Sequence, residues 1–262
     1  MKKPFTSVWT RESRPAKSPT LSRDQIVRAA MELLDAEGLD ALSMRRLGAK
    51  LGSGATSIYW HVANKDDLLD LVMDEVFGKV SVPDPEMSGW REAVTVFAYG
   101  LRATFFEHPW SASLIGTRPA LGPNAMRLSD QLLKTFQLAG FKDTALDYAA
   151  ATLMSYVMGV TAPEIAWRAV QASSGMSSEE ILTTTKEWVE RAARDYPELA
   201  ARYATYDISE VDVSRALNFE FGLTCMLDGL EAHLNRSAAS PAEPATPPSP
   251  SSAMPPAGST TG

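Results

Sequence analysis

The sequence holds little with which to do covalent or metal chemistry. Its 262 residues contain a single cysteine, Cys225, which excludes an intrachain disulfide and a cysteine-built zinc cage. The three histidines, His61, His108 and His233, lie far apart, and none has a metal-ligand spacing such as HExxH. No GxSxG elbow, glycine-rich phosphate loop or paired-cysteine motif occurs, so no enzyme, no metal and no cofactor is expected. Long apolar runs are missing too. The longest uncharged stretch ahead of the proline-rich tail, Tyr148 to Pro163, is shorter than the roughly 20 apolar residues of a bilayer span and carries Ser155 and Thr161. It reads as a buried helix, and no membrane is expected as a partner. The first 20 residues lack the apolar core of a secretory signal, which leaves the cytoplasm as the expected location. Cys225, beside Leu223, Met226 and Leu227, is expected to be a buried, inert thiol.

What is present is ordinary globular composition. With 45% hydrophobic and 22% charged residues, whole-chain disorder is excluded, and the length allows one large or two modest domains. A net charge of −7 taken alone argues against a nucleic-acid partner, but the charge is unevenly spread. Residues 1–65 hold 11 Lys and Arg against 6 Asp and Glu, net +5, whereas residues 66–262 carry net −12. The split suggests a basic head that approaches a polyanion and an acidic body that does not.

Residues 1–20 mix Lys, Arg, Pro and Ser without helical periodicity and read as a flexible basic arm. Residues 237–262 contain seven prolines among Ser, Ala, Gly and Thr and read as a disordered tail. Between them apolar residues recur at three and four, and no stretch alternates as a strand would, so the fold class is all-α. Ser22 and Gln25 have the spacing of a capping box ahead of the stripe Ile26, Ala29, Ala30, Leu33 and Leu34, and Gly38 stops that helix. Ser43 caps a second helix bearing Leu47 and Leu51, Gly52 to Gly54 make a turn, and a short third helix spans Ala55 to His61. Asn64 caps a fourth, Lys65 to about Lys79, before Ser81 to Pro85 breaks the chain and closes a first domain at 21–80. In a second domain, 86–236, helices are expected at about 88–106, 109–115, 123–139, 143–172, 177–194 and 209–235.

Two short helices about a glycine turn, behind a supporting helix, are the parts of a helix-turn-helix reader. Ile58 and Val62, four apart, can face the supporting helices, which leaves Thr56, Ser57, Tyr59, Trp60 and His61 around the remaining surface. Hydroxyls, small donors and rings suit phosphate oxygens and thymine methyls in a major groove. Tyr59 and Trp60 could equally pack against the fourth helix. A second reading is a ligand-binding helical protein whose head contacts a protein partner. The +5 head and the hydroxyl-rich third helix count against it.

The stretch Leu21 to Val76 resembles the TetR family of bacterial transcriptional repressors. The resemblance rests on LSRDQIVRAAMELLDAEG from Leu21, SMRRLGAKLG from Ser43 and SIYWHVANKDDLLD from Ser57, the last being similar to the branch that contains the tetracycline repressors. It implies an N-terminal three-helix DNA-binding domain and a C-terminal helical ligand-binding and dimerisation domain. It also implies DNA contacts at Arg45, Ser57, Tyr59, Trp60, His61 and Lys65, to which the content of the third helix adds Thr56. The chain departs from the family at Gly48, usually Ala, and at Gly54, Ala55 and Thr56. SGWRE from Ser88, HPW from His108, GTRP from Gly116 and LGPNA from Leu121 extend the resemblance into the second domain. A homodimeric repressor on a palindromic double-stranded DNA operator, released by a small effector, is what the resemblance implies.

Aromatic and methionine stripes in the second domain suggest the effector site: Phe97, Phe105, Trp110, Leu114, Met126, Met154, Met158 and Trp167, with His108 and Arg118 as polar anchors. In the tetracycline repressors a metal-bound drug is held partly by a histidine ahead of GTRP and by another near the end of the fourth helix. This chain aligns Leu114 and Ser81 there, so a small hydrophobic, metal-independent effector is expected. The dimer contact is expected on the helices near 143–172 and 209–235. Its residues would be Ala149, Leu153, Tyr156, Val157 and Val160 with Phe219, Gly222, Leu223, Met226 and Leu230.

Overall fold

The computed structural model describes residues 7–10, 21–205, 207 and 211–239. Among the described residues there are eleven α-helices and no strand. The first, α1 (Arg23–Glu37), starts on the expected capping box, with Ser22 and Gln25 each accepting the other's backbone N–H. It is followed by α2 (Met44–Lys50), whose Ser43 cap accepts from Arg46 N, and by α3 (Ala55–Tyr59), two residues shorter than expected. The Asn64 side chain opens α4 (Lys65–Gly78) by accepting from Asp67 N. The body comprises α5 (Pro85–Ser88), α6 (Trp90–Glu107), α7 (Pro123–Ala139), α8 (Asp143–Ser174), α9 (Ser178–Ala192), α10 (Pro197–Ala204) and α11 (Val211–Ala239). The expected helix at 109–115 is a 3-10 turn, Pro109–Ser113.

Four features differ from the sequence reading. Helix α10 lies where no helix was expected: it starts on Pro197, tolerated only in a first turn, and eight residues show barely two turns of periodicity. Residues 237–239, assigned to the tail, prolong α11, and residues 240–262 lie outside the described residues. Within the presumed flexible arm, Val8–Thr10 form a 3-10 turn packed on α4, with the buried Ser7 donating Oγ–H to Asp70 Oδ2 at 2.9 Å. The rest of that arm, residues 1–6 and 11–20, lies outside the described residues. Finally, α8 is not buried all round. Ala149, Leu153, Val157, Thr161 and Ile165 form one inward stripe at four-residue spacing, while Tyr148, Thr152, Ser155 and Gly159 are exposed.

The core is continuous from head to body. Ile26, Ala30, Leu34, Leu47, Ile58 and Val62 close the head, and α4 packs on α1 with one part of its surface and on α7 with another. That sharing follows from its sequence, since Leu68, Leu69, Leu71, Val72, Met73, Val76 and Phe77 cover most of its circumference. In the body, α6, α7, α8 and α11 surround Phe97, Phe105, Phe136, Leu153 and Phe219. Arg102 of α6, buried to 9% exposure, pairs with Glu164 of α8 at 2.6 Å and lies 4.4 Å from the Phe219 ring centroid. No helix of the described residues is long and apolar enough to cross a membrane.

Candidate DNA interface and effector cavity

The turn between α2 and α3 depends on a close backbone approach. Gly48 is buried, its carbonyl accepts from Ser53 N at 2.9 Å, and a Cβ placed on it would stand 2.8 Å from Ser53 O. The missing Cβ lets the turn fold down onto α2. Ile58 and Val62 are buried against the support, as their spacing predicts. Trp60 is 57% and Tyr59 49% exposed, so packing against α4 does not account for either ring. Thr56 is exposed and Ser57 half-buried beside them.

Basic side chains around this helix divide into paired and available. Arg46 binds Glu37 at 2.5 Å and Lys50 binds Glu32 at 2.9 Å, both acceptors on α1. Arg45 is exposed and has no ion pair among the described residues. Lys65, first residue of α4, is exposed, its Nζ reaching the Leu39 carbonyl at 3.4 Å and no other partner among the described residues. His61 is turned differently from its neighbours. Its Nε2 is buried and finds no hydrogen-bond partner among the described residues, so it offers less to a groove than Tyr59 or Trp60.

Further along α4 the helix forms the wall of a cavity of about 140 Å³. Asp70, Met73, Asp74 and Phe77 line it from α4, the loop Leu114 to Gly122 from a second side, Ala125 and Met154 from α7 and α8, and Trp9 from the N-terminal turn. Its charged groups are already satisfied. Asp70 accepts from Arg118 Nε at 2.5 Å through Oδ1 and from Ser7 through Oδ2, while Asp74 accepts from the backbone N–H of Ala125 and Asn124 at 2.9 and 3.2 Å. Arg118 also donates to the side chain and carbonyl of Asp66. Burial works against the Arg118 charge, but the hydrogen bond and charge of Asp70, then those of Asp66, outweigh it and hold the guanidinium above its ordinary pKa. What a ligand meets is therefore mainly apolar wall.

Of the ten expected effector-site residues, Leu114, Arg118 and Met154 line this cavity. The structure does not bring the others to it. Phe97 and Phe105 are fully buried in the body core, Met126 is half exposed, and Met158 packs at the core margin. His108 and Trp110 instead tie the body to the head: His108 Nδ1 and Trp110 Nε1 lie 2.6 and 2.7 Å from Asp35 Oδ1 of α1. Trp167 donates to Ser178 Oγ at 2.9 Å. Ser81, aligned with a ligand histidine, is exposed and outside the lining. Among the described residues no group of His, Cys, Asp and Glu could hold a metal ion. The sequence reading missed Trp9, Asp70 and Asp74. Asp70 and Asp74, one turn apart among the apolar residues Leu68 to Phe77, were the available signal, because a carboxylate on a buried face needs partners.

Of the ten residues expected at a dimer contact, five are buried within the protomer and five are half-buried. Ala149, Leu153, Val157, Phe219 and Leu223 are buried where α8 packs on α11. Tyr156 donates its hydroxyl to Phe219 O at 2.7 Å with Gly222 against its ring, and Val160, Met226 and Leu230 pack on the core margin. An apolar helix face shows in a sequence, but not whether a partner chain or the same chain covers it. Cys225, expected buried, is exposed.

A helix-turn-helix head with exposed rings and uncommitted cations, fused through one helix to a body holding an apolar cavity, defines a ligand-responsive DNA-binding regulator. Residues 26–72 match the family described as bacterial regulatory proteins, tetR family, and residues 82–234 match the tetracyclin repressor-like C-terminal domain. The chain is 39% identical over 198 residues to an HTH-type transcriptional regulator of Saccharopolyspora erythraea, covering 75% of this chain and 81% of that one. It is 34% identical over 229 residues to the HTH-type transcriptional repressor DrrR1 of Streptomyces coeruleorubidus, covering 86% and 83%. Among solved structures, ActR of Streptomyces coelicolor in complex with actinorhodin superposes with a TM-score of 0.71 at 32% identity, over 82% of this chain and 98% of that one. The chain belongs to the TetR family and is a DNA-binding transcriptional regulator.

Proposed function

We propose that this chain is a homodimeric repressor, held on a palindromic operator by Arg45, Thr56, Ser57, Tyr59, Trp60 and Lys65, and released when a small, largely hydrophobic effector occupies the cavity on α4. The observation that carries the reading is the double duty of that helix. Lys65 opens it at the DNA face, and Asp70 and Asp74 line the cavity on the same rigid element, Asp74 about 14 Å along it from Lys65 at 1.5 Å per residue. A ligand that favours one placement of α4 shifts the head, and DNA is released by the ligand's difference in affinity for the two states. The name of DrrR1 includes repression, and ActR is known with a bound actinorhodin, which accords with a repressor controlled by a small molecule. With every carboxylate oxygen and the guanidinium of the lining already paired, an uncharged aromatic compound suits the site better than a metal-chelated drug.

The experiment begins by selecting duplexes from a random pool. Release of the selected duplex is then followed by fluorescence anisotropy against uncharged aromatic compounds and against tetracycline with magnesium. Release by members of the first set, abolished by Met154→Trp, is expected. Submicromolar, magnesium-dependent release by tetracycline would overturn the effector class, and failure to select any duplex would overturn DNA recognition.

A further inference from the structure

We infer that Arg118, a residue of the cavity wall, is a positioning residue for DNA binding: its guanidinium offsets the carboxylate of Asp66 at the phosphate-facing start of α4. The inference rests on the reading that α4 begins at the DNA face, and adds to it a negative charge that has to be offset before a duplex can approach.

Three observations carry it. Asp66 is the second residue of α4, directly after Lys65, and its side chain is 74% exposed. Without Arg118 it would hold a negative charge one Cα spacing, about 3.8 Å, along the chain from the cation assigned to phosphate. Arg118 reaches it across 52 residues of sequence, Nη1 donating to Asp66 Oδ1 at 3.1 Å and Nη2 to the Asp66 carbonyl at 2.9 Å. The guanidinium is also fixed from behind. One turn further along α4 its Nε donates to Oδ1 of the buried Asp70 at 2.5 Å, so Asp70 sets its position and Asp66 receives its outer edge.

An acid in a first turn is ordinarily explained by the helix dipole. Here Asp67 already supplies one, and dipole complementation gives no reason for an arginine of the body to reach the head-side end of α4. A helix start is also where phosphate is attracted, so a bare Asp66 carboxylate would compete with the DNA for the same positive end. A unit charge about 8 Å from one phosphate in water changes affinity roughly two- to threefold. It acts inside the Debye length of about 10 Å at 0.1 M salt. Two heads on one duplex raise the effect to about fivefold. Because Arg118 also lines the cavity, a ligand that drew it off Asp66 would return that charge to the DNA face.

The test is fluorescence anisotropy of the selected duplex with the full chain and with Arg118→Gln, Asp66→Asn and the two combined. Glutamine removes the charge of Arg118 but keeps a donor for Asp70. At about 0.05 M salt Arg118→Gln should weaken binding about fivefold, Asp66→Asn should tighten it by a similar factor, and the combined variant should return to the parent affinity. These differences should fade near 0.5 M salt, where the Debye length falls to about 4 Å. Asp130→Asn, which removes an exposed carboxylate of α7, corrects for the change in net charge. A purely structural Arg118 would give a loss that salt leaves unchanged and Asp66→Asn does not restore. That result, or an Asp66→Asn variant no tighter than Asp130→Asn, overturns the inference. Lys65→Ala separates it from the reading beneath it. A lowered salt slope in Lys65→Ala with no effect of Asp66→Asn sinks the role of Arg118 alone, whereas an unchanged slope removes the start of α4 from the DNA face and the inference with it. Circular dichroism confirms folding, and if Arg118→Gln does not fold, the comparison of Asp66→Asn with Asp130→Asn decides by itself.

Discussion

Exposed aromatic rings cost a protein solubility unless something covers them, and at the end of α3 two adjacent ones, Tyr59 and Trp60, point outward. Trp60→Ala and Tyr59→Ala should each weaken binding to the selected duplex by about 1 to 3 kcal/mol, whereas Lys65→Ala should weaken all duplexes alike and lower the salt slope by about one. Titrations of the three variants at several salt concentrations separate base reading from phosphate contact, and unchanged affinity in a folded double aromatic variant would remove α3 from the groove. A second residue-scale effect depends on pH. Glu107, at the end of α6, accepts a hydrogen bond from Lys79 just beyond α4. That bond first, with burial opposing it, and then the charges of Lys79 and His108, hold its carboxyl below the ordinary glutamate pKa. A depressed carboxylate stabilises the fold above its unfolded pKa, near 4.3, and the gain is lost as pH falls through the lowered folded value. Both side chains are more than a third exposed, so Glu107→Gln should cost under about 1 kcal/mol at pH 7. Melting curves of parent and variant should converge in acid, and a gap that widens there would contradict the pair.

At the scale of elements, legibility tracked the range of the interaction that defines each one. Caps act over three residues, so Ser22 with Gln25, Ser43 and Asn64 announced α1, α2 and α4 in the sequence, and the spacing of Ile58 and Val62 oriented α3 correctly. Contacts across the fold left no such local mark. The cavity arises because Asp74, 50 residues away from Asn124, caps α7 in place of a side chain at Gly122. That arrangement requires a glycine: a Cβ at Gly122 would lie 2.1 Å from Asp74 Oδ1. Gly122→Ala should therefore drive the carboxylate off the helix start, leave buried N–H groups unpaired and cost about 1 to 3 kcal/mol. Urea unfolding measures that loss, and Asp74→Ala in the same background should add little, because the two changes remove one interaction. Additive losses would mean that Asp74 does not cap α7. The cavity lining was only partly legible because helical periodicity identifies apolar faces but not which neighbour lies against them.

For the whole molecule, the face that remains uncovered matters most. With the inner stripes of α8 and α11 spent on one another, α11 still exposes Val213, Leu217 and Phe221, four residues apart, at 60%, 58% and 72%, and α8 exposes Tyr148. A helix apolar on two sides has to bury the second side somewhere, and a second copy offers the same stripe in return. Two-fold packing of α8 and α11 would bury these side chains in a four-helix contact, each large one contributing about 1.5 to 3 kcal/mol. It would also fix the separation of two basic heads and so the spacing of a palindrome. Leu217→Glu with Phe221→Glu should yield folded monomers by sedimentation velocity and weaken binding to a palindromic duplex far more than to a single half-site. Leu223→Glu, on the inner stripe, should unfold the chain rather than divide it, because it places a charge in the protomer's own core. Dissociation requires the outer face to be the contact, so a double variant that remains a folded dimer at micromolar concentration would move the interface off α11 altogether.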